Sequence, residues 1–264
     1  MFRLLPVFGG DPRAISEVVN GIMNGKTNNH GTITLATGNA TSTTIYDERI
    51  GYDSKIIVIP WSAAAFTDST PYGAFQDSTD QVAASANTAY AIKLNTTDYS
   101  HGISVVSNSR ITVKSYGIYN VQFSIQLSNT DTQIQDVDIW FRKNGTDIAN
   151  SNSQFSVPNS HGGIAGHLIA AMNFWVDLNA NDYFEIIWNT SSTQVTIEQI
   201  PSQTGPIRPA TPSVIVTVSF QSSNGTNAAG DYSVYVSSQN KGSATLTHFA
   251  NDTANKTYAY VVIG

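Results

Sequence analysis

From Tyr119 to Leu127 every odd position is apolar (Tyr119, Val121, Phe123, Ile125, Leu127) and every even position is polar (Asn120, Gln122, Ser124, Gln126). Strict period-two alternation predicts a strand with one face in a core and the other toward water or a polar partner. A second run follows, in which Val137, Ile139 and Phe141 alternate with Asp136, Asp138, Trp140 and Arg142 and which ends in Lys143-Asn144-Gly145. Asn-Gly is a strong hairpin signal because both residues tolerate positive φ. Two such strands so close together predict an all-β domain.

The same pattern orders the rest of the chain. Asp11 can cap and Pro12 suits a first helical position; Ile15, Val18, Val19, Ile22 and Met23 then fall on one helical face, and Gly25 is a C-terminal stop. A helix of about three turns is shorter than the ~12–15 residues at which isolated helices become marginal, so it must lean on its own domain, on sister chains or on a larger assembly. The apolar peptide ahead of it, with Leu4, Leu5, Val7 and Phe8, would serve as an extended docking segment. The alternative is a terminus that packs on its own domain. Strands are expected over Thr32–Ala36, Thr43–Tyr46 and Lys55–Trp61, with turns at Gly38-Asn39 and Gly51-Tyr52-Asp53. The Ser/Thr/Ala-rich stretch Thr67–Asn87 has little periodicity and reads as a linker or long loop. Strands resume over Ala89–Leu94, Ile103–Val106, Arg110–Lys114, the two central runs, Phe174–Leu178, Tyr183–Trp188, Gln194–Gln199 and Val214–Gln221. Short strands at such spacing predict a sandwich or jelly roll. After a Ser/Asn/Gly-rich joint at Gln221–Gly230 the chain ends in Tyr232–Ser237, Ser243–Phe249 and Thr257–Ile263.

Composition narrows the classes. Of 264 residues 41% are hydrophobic and 12% charged, which in alternating runs argues for folded β structure rather than disorder. A net charge of −6 without a basic stripe argues against nucleic-acid binding through phosphate neutralisation. With no cysteine there is no disulfide framework, thiolate metal site or cysteine nucleophile. The opening MFRLLPVFGGDP, interrupted by Pro6, Gly9 and Gly10, does not fit a signal-peptide core or a membrane span, so the expectation is a chain made in a cytoplasm with no membrane insertion.

Two resemblances add to this. Gly117-Ile118-Tyr119-Asn120-Val121-Gln122-Phe123 is similar to the Gly-x-Tyr-x-x-x-Phe strand of the jelly roll shared by tumour necrosis factor and the complement globular heads. Val137–Gly145 resembles that family's strand ending in Lys-Asn-Gly, and Leu178–Tyr183 its Leu-x-x-Gly-Asp-x-Val turn, with Asn181 where glycine is usual. This resemblance covers residues 88–222 and implies a trimer whose protomers meet through aromatic and apolar faces. Residues 24–65 look like the opening of a small module recurrent in tailed-phage structural proteins, and residues 235–264 look like its ending. Three strands at each end are too few for a stable unit alone; six together suffice. The expected organisation is therefore a docking peptide and helix (1–25), one discontinuous small β domain (26–66 plus 228–264), and an inserted jelly roll with flanking linkers (67–227). Insertion at an exposed loop is what domain anatomy permits.

Candidate chemistry is sparse. His161 and His167 flank a glycine-rich segment, but no Gly-x-Ser-x-Gly elbow accompanies them and no third ligand stands at useful spacing. Asp177-x-Asn179-x-Asn181 copies the start of a calcium loop, yet Asp182 replaces the required glycine and Trp188 the bidentate Glu, so a turn is the better reading. Asp136 and Asp138 lie on one strand face about 7 Å apart. Such carboxylates suit glycoside hydrolysis, but nothing in the flanking sequence would raise a pKa, and a solvated strand face is preferred. Tyr119, Phe123, Phe141 and Phe174 fit core positions, while Trp140, Trp175 and Trp188 are candidates for trimer contact, with sugar stacking as the functional alternative.

The expectation is a non-enzymatic virion component of a tailed phage, without catalytic residues, metal or cofactor. It would be a trimeric fibre or knob that docks on other virion proteins through its N-terminus and contacts host-surface saccharide or protein. Capsid cementing is the alternative. A glycan depolymerase ranks below both, because tailspikes of that kind are long repetitive β-helices and no such repeat is present.

Overall fold

The computed structural model describes residues 11–24, 28–38, 40–66, 70–222, 234–251 and 255–264. Leu4, Leu5, Val7 and Phe8 of the docking peptide, the stop at Gly25, the turn residue Asn39 and most of the Gln221–Gly230 joint lie outside them. The chain divides into two compact units, Met1–Asp68 with Ser233–Gly264, and Ser69–Tyr232.

The first unit is closed by both ends of its sequence. Thr257–Ile263 lies between His30–Thr34 and Lys55–Pro60, antiparallel to each, with Gly31 opposite Tyr260 and Val58 opposite Tyr260 from the other side. In a second sheet Ser243–Asn251 lies between Ala40–Tyr46 and Tyr235–Asn240. The middle strand of each sheet is C-terminal and flanked by at least one N-terminal strand, so neither end of the chain can complete a sheet alone. Leu35, Ile45, Ile50, Leu246, Tyr258, Tyr260 and Val262 fill the core between the sheets. The Ala-rich segment is tied to the C-terminal strand: Ser62 Oγ donates to the Asn255 carbonyl (2.6 Å) and accepts from Thr257 N (3.0 Å). Its last turn is a short helix over Ala63–Phe66.

Ahead of these strands lies a helix over Pro12–Met23. Asp11 caps it, accepting from Arg13 N at 3.1 Å, and Pro12 occupies the first turn, as the sequence predicts.

The second unit is a jelly-roll β-sandwich. In one sheet Gly117–Asn129 is the central strand, paired along its whole length with Gly166–Leu178 and on its other edge with Val214–Ser222 and Val195–Ile197. The sheet continues through Tyr72–Asp77 to Thr96–His101. The facing sheet is built on Gln135–Lys143, paired with Tyr183–Thr190 on one edge and with Ser153–Val157 and Thr146–Asp147 on the other. Arg110–Val113 and Ile103–Val106 extend it. Tyr119, Val121, Phe123, Ile125 and Leu127 all point inward and are buried, as their alternation requires. Phe141 of the second sheet stacks on Phe174 of the first, centroids 4.6 Å apart and planes 14° from parallel, which locks the two layers together. Asn144 and Gly145 both have positive φ (48° and 83°) and close the two-residue turn onto Thr146.

One boundary requires correction. The jelly roll does not begin at residue 88: Tyr72–Asp77, inside the stretch expected to be a linker, pairs with Val214–Ser222 over its full length. Its inward residues are Gly73, Phe75 and Asp77, so only Phe75 gives an apolar signal. Asp77 is buried with its Oδ1 accepting from Thr79 N (2.7 Å) and Thr79 Oγ1 (2.5 Å), so this inward polar group is hydrogen-bonded within its own turn.

Candidate functional site

The outward face of the second sheet carries a cavity lined by polar and aromatic side chains. On Gln135–Lys143 the inward residues are Val137, Ile139 and Phe141, so Asp138 and Trp140 face out. Asp138 stands opposite Asn189 of the neighbouring strand. The segment 147–152 folds back toward them because Ile148 N donates to the Phe141 carbonyl (2.9 Å) and the buried Ser151 staples it down. Phe141 N donates to Ser151 Oγ (3.0 Å), and Ser151 Oγ donates to the Ile148 carbonyl (2.8 Å). The result is a shallow cavity of about 300 Å³, lined by Asp138, Trp140, Asp147, Asn150, Asn152 and Asn189 among others.

Its polar groups are held in place. Trp140 Nε1 donates to Asp147 Oδ1 (2.9 Å), and Arg142 Nε donates to the same oxygen (2.7 Å). The Arg142 guanidinium, followed by the Trp140 N–H, holds the Asp147 carboxyl below its ordinary range, so it is ionised at neutral pH. Asn152 Nδ2 donates to Asp138 Oδ1 (3.1 Å). Asn150 sits in the left-handed region (φ 62°), which turns the segment.

The three tryptophans do not share a surface. Trp140 is half-buried in this cavity. Trp175 is 60% exposed on the outward face of the other sheet, opposite Asn120. Trp188 must be withdrawn as a contact candidate: it pairs with the inward-facing Ile139 and is 1% exposed, a core side chain with nothing to offer another subunit. The alternation of its strand is masked in the sequence because both faces are apolar there, with Ile186 and Ile187 equally buried.

The remaining candidates resolve into structure. His161 closes a tight turn through reciprocal backbone bonds with Ile164, whereas His167 Nδ1 lies 3.3 Å from Glu198 Oε2. Among the described residues no group of three or more His, Asp or Glu could hold a metal ion. The calcium-like segment is a strand turn: Asp182 accepts from Asn179 N (2.8 Å) and Asn144 Nδ2 (2.7 Å) and pairs with Lys143 (3.0 Å). Asn181 supplies the positive φ (69°) where glycine is usual. Asp136 accepts from Ser156 Oγ (2.7 Å), so each member of the 136/138 pair is engaged with a polar neighbour.

On the helix, Ile15, Val19, Ile22 and Met23 are exposed by 42, 48, 56 and 80%; Val18 is half-buried. In the same unit Ile57 and Ile59, on the edge strand Lys55–Pro60, are each 50% exposed and Trp61 is 69% exposed.

No protein-family model matches the chain, and no curated protein matches it. Among solved structures it is similar to the globular domain of zebrafish complement 1qA protein. The identity is 9% and the TM-score 0.36, over 58% of this chain and 99% of that one.

Proposed function

We propose that this chain is a non-enzymatic structural component of a tailed-phage virion, a trimer that docks on other virion proteins through its N-terminal segment and presents its jelly roll to the host surface. The observation that carries the docking role is the apolar stripe Ile15–Val19–Ile22 on a helix of 12 residues, exposed in a unit whose core is otherwise closed. A stripe of that kind on so short a helix calls for a partner. The exposed Ile57, Ile59 and Trp61 give the same unit a second apolar surface. The resemblance of both chain ends to a tailed-phage module supports the virion setting, and the inserted jelly roll supports the trimer. Three weak sites per trimer, and several trimers per particle, would give adhesion by effective concentration rather than by one tight site.

The test is deletion of residues 1–25 in the full chain. The shortened protein is expected to remain a soluble trimer and to lose association with particles; retained association would remove the docking role. Particles lacking the protein should adsorb poorly to host cells. Normal adsorption combined with fragility to heat or osmotic shock would assign the chain to capsid cementing instead.

A further inference from the structure

The cavity beside Trp140 names a ligand class, an inference that rests on the host-contact role just proposed. A saccharide ring has one face of C–H bonds and a rim of hydroxyls. It is recognised by an aromatic plane together with fixed acceptors and donors at the edge. The cavity has this composition: one indole, the carboxylates of Asp138 and Asp147, and the amides of Asn150, Asn152 and Asn189. Its volume of about 300 Å³ is at the small end of ligand sites. Asn152 donates to Oδ1 of Asp138, and Oδ2 is the oxygen left for a ligand hydroxyl. The Ser151 staple and the Arg142–Asp147–Trp140 chain fix the wall before any ligand arrives, which lowers the ordering cost of binding.

Charge decides which saccharide. Two carboxylates face the cavity and one guanidinium, Arg142, is already committed to Asp147. The balance is negative, so carboxylated or sulfated sugars are repelled. We propose that this cavity binds a neutral pyranose, its C–H face against the Trp140 indole and its hydroxyls donating to Asp138, with Asn152 and Asn189 bonding the neighbouring hydroxyls. The site lies on the sheet face opposite Trp175, so a trimer formed through the Trp175 face leaves it open in every copy.

The experiment is saturation-transfer NMR on the full-length protein with methyl β-D-galactopyranoside, methyl α-D-glucopyranoside and methyl α-D-mannopyranoside, with N-acetylneuraminic acid as the anionic comparison. At least one neutral pyranoside should bind and the acid should not. Trp140→Ala and the isosteric Asp138→Asn should each weaken binding about tenfold or more, while Tyr46→Ala, at an exposed position of the other unit, leaves it unchanged. Asp138→Asn keeps the shape of the side chain, so its loss of binding cannot be ascribed to misfolding. No binding by any neutral pyranoside, equal binding of the acid, or unaltered binding by Asp138→Asn would overturn the site. If the purified chain binds none of them yet adsorption still depends on the protein, the site fails and the host-contact role stands. If it binds and its removal leaves adsorption unaltered, the role fails and the site stands.

Discussion

Tyr260 donates its hydroxyl to Asp47 Oδ2 at 2.9 Å, across 213 residues of sequence. Asp47 is also held by the Arg49 side chain and backbone N–H, so one carboxylate ties a turn near the start of the chain to its last strand. A hydrogen bond to a charged group contributes about 1.5–3 kcal/mol. Tyr260→Phe should therefore destabilise the first unit by about that amount, read as faster amide exchange at Leu246 and Tyr258, with the jelly-roll strands unchanged. Equal loss of protection in both units would contradict this.

Acid should act through the same group. The Arg49 hydrogen bond, with smaller help from Tyr260 and against the effect of burial, holds the Asp47 carboxyl well below the usual carboxylate range. In the unfolded chain it returns to about 3.9, so the unfolded state takes up the proton first. The contribution is then full above about pH 4 and is lost as pH falls from there toward the folded value. Unfolding followed between about pH 6 and 2 should show the first unit weakening, and Asp47→Asn should flatten that acid limb.

Inside the jelly roll, Phe141 is fully buried between Phe123, Phe174 and Phe184. Phe141→Ala should cost about 3–5 kcal/mol in denaturant unfolding, since it removes apolar contact and leaves a cavity between the layers. A loss below about 1 kcal/mol would mean that the two sheets do not depend on this contact.

Gly166 opens the long strand Gly166–Leu178 at a point where a Cβ would collide with the backbone carbonyl of Pro158. Backbone cannot rotate away as a side-chain tip can, so Gly166→Ala should destabilise by about 1–3 kcal/mol. Gly205→Ala, which meets open space, serves as the control. Equal stability of the two variants would show that the 158–166 connection between the two sheets relaxes freely.

What could be read from the sequence followed the strength of the alternation. Tyr119–Leu127 and Val137–Phe141 are unambiguous because one face is large and apolar and the other polar. The six outer strands were legible as a pair of incomplete sets. Tyr72–Asp77 was not, because a glycine and a hydrogen-bonded aspartate take two of its three inward places. The first half of Gly166–Leu178 was hidden for the opposite reason: Ile169 and Ala171 are apolar on the outward face as well. The cavity was beyond reach, since Asp147 and Asn152 meet Trp140 and Asp138 only through the fold-back that Ser151 holds. An isolated serine in Asn150-Ser151-Asn152 carries no sign of that duty.

The proposed trimer makes its own demand on the first sheet. Across its outward face run the rows Trp175–Asn120–Ser219–Tyr72 and Ala171–Ser124–Ile215–Gln76. Trp175 (60%), Ile169 (59%), Ile215 (40%) and Tyr72 (43%) stand exposed around a polar centre in which Asn120 donates to Asn173 at 2.6 Å. Depletion of charge with aromatic and aliphatic residues around it is the composition of an interface core. Trp175→Asp and Ile169→Asp should therefore yield monomers in sedimentation while shifting the unfolding of the isolated fold by no more than about 0.5 kcal/mol. A wild-type monomer would remove the trimer; a trimer that survives both substitutions would move it to another face.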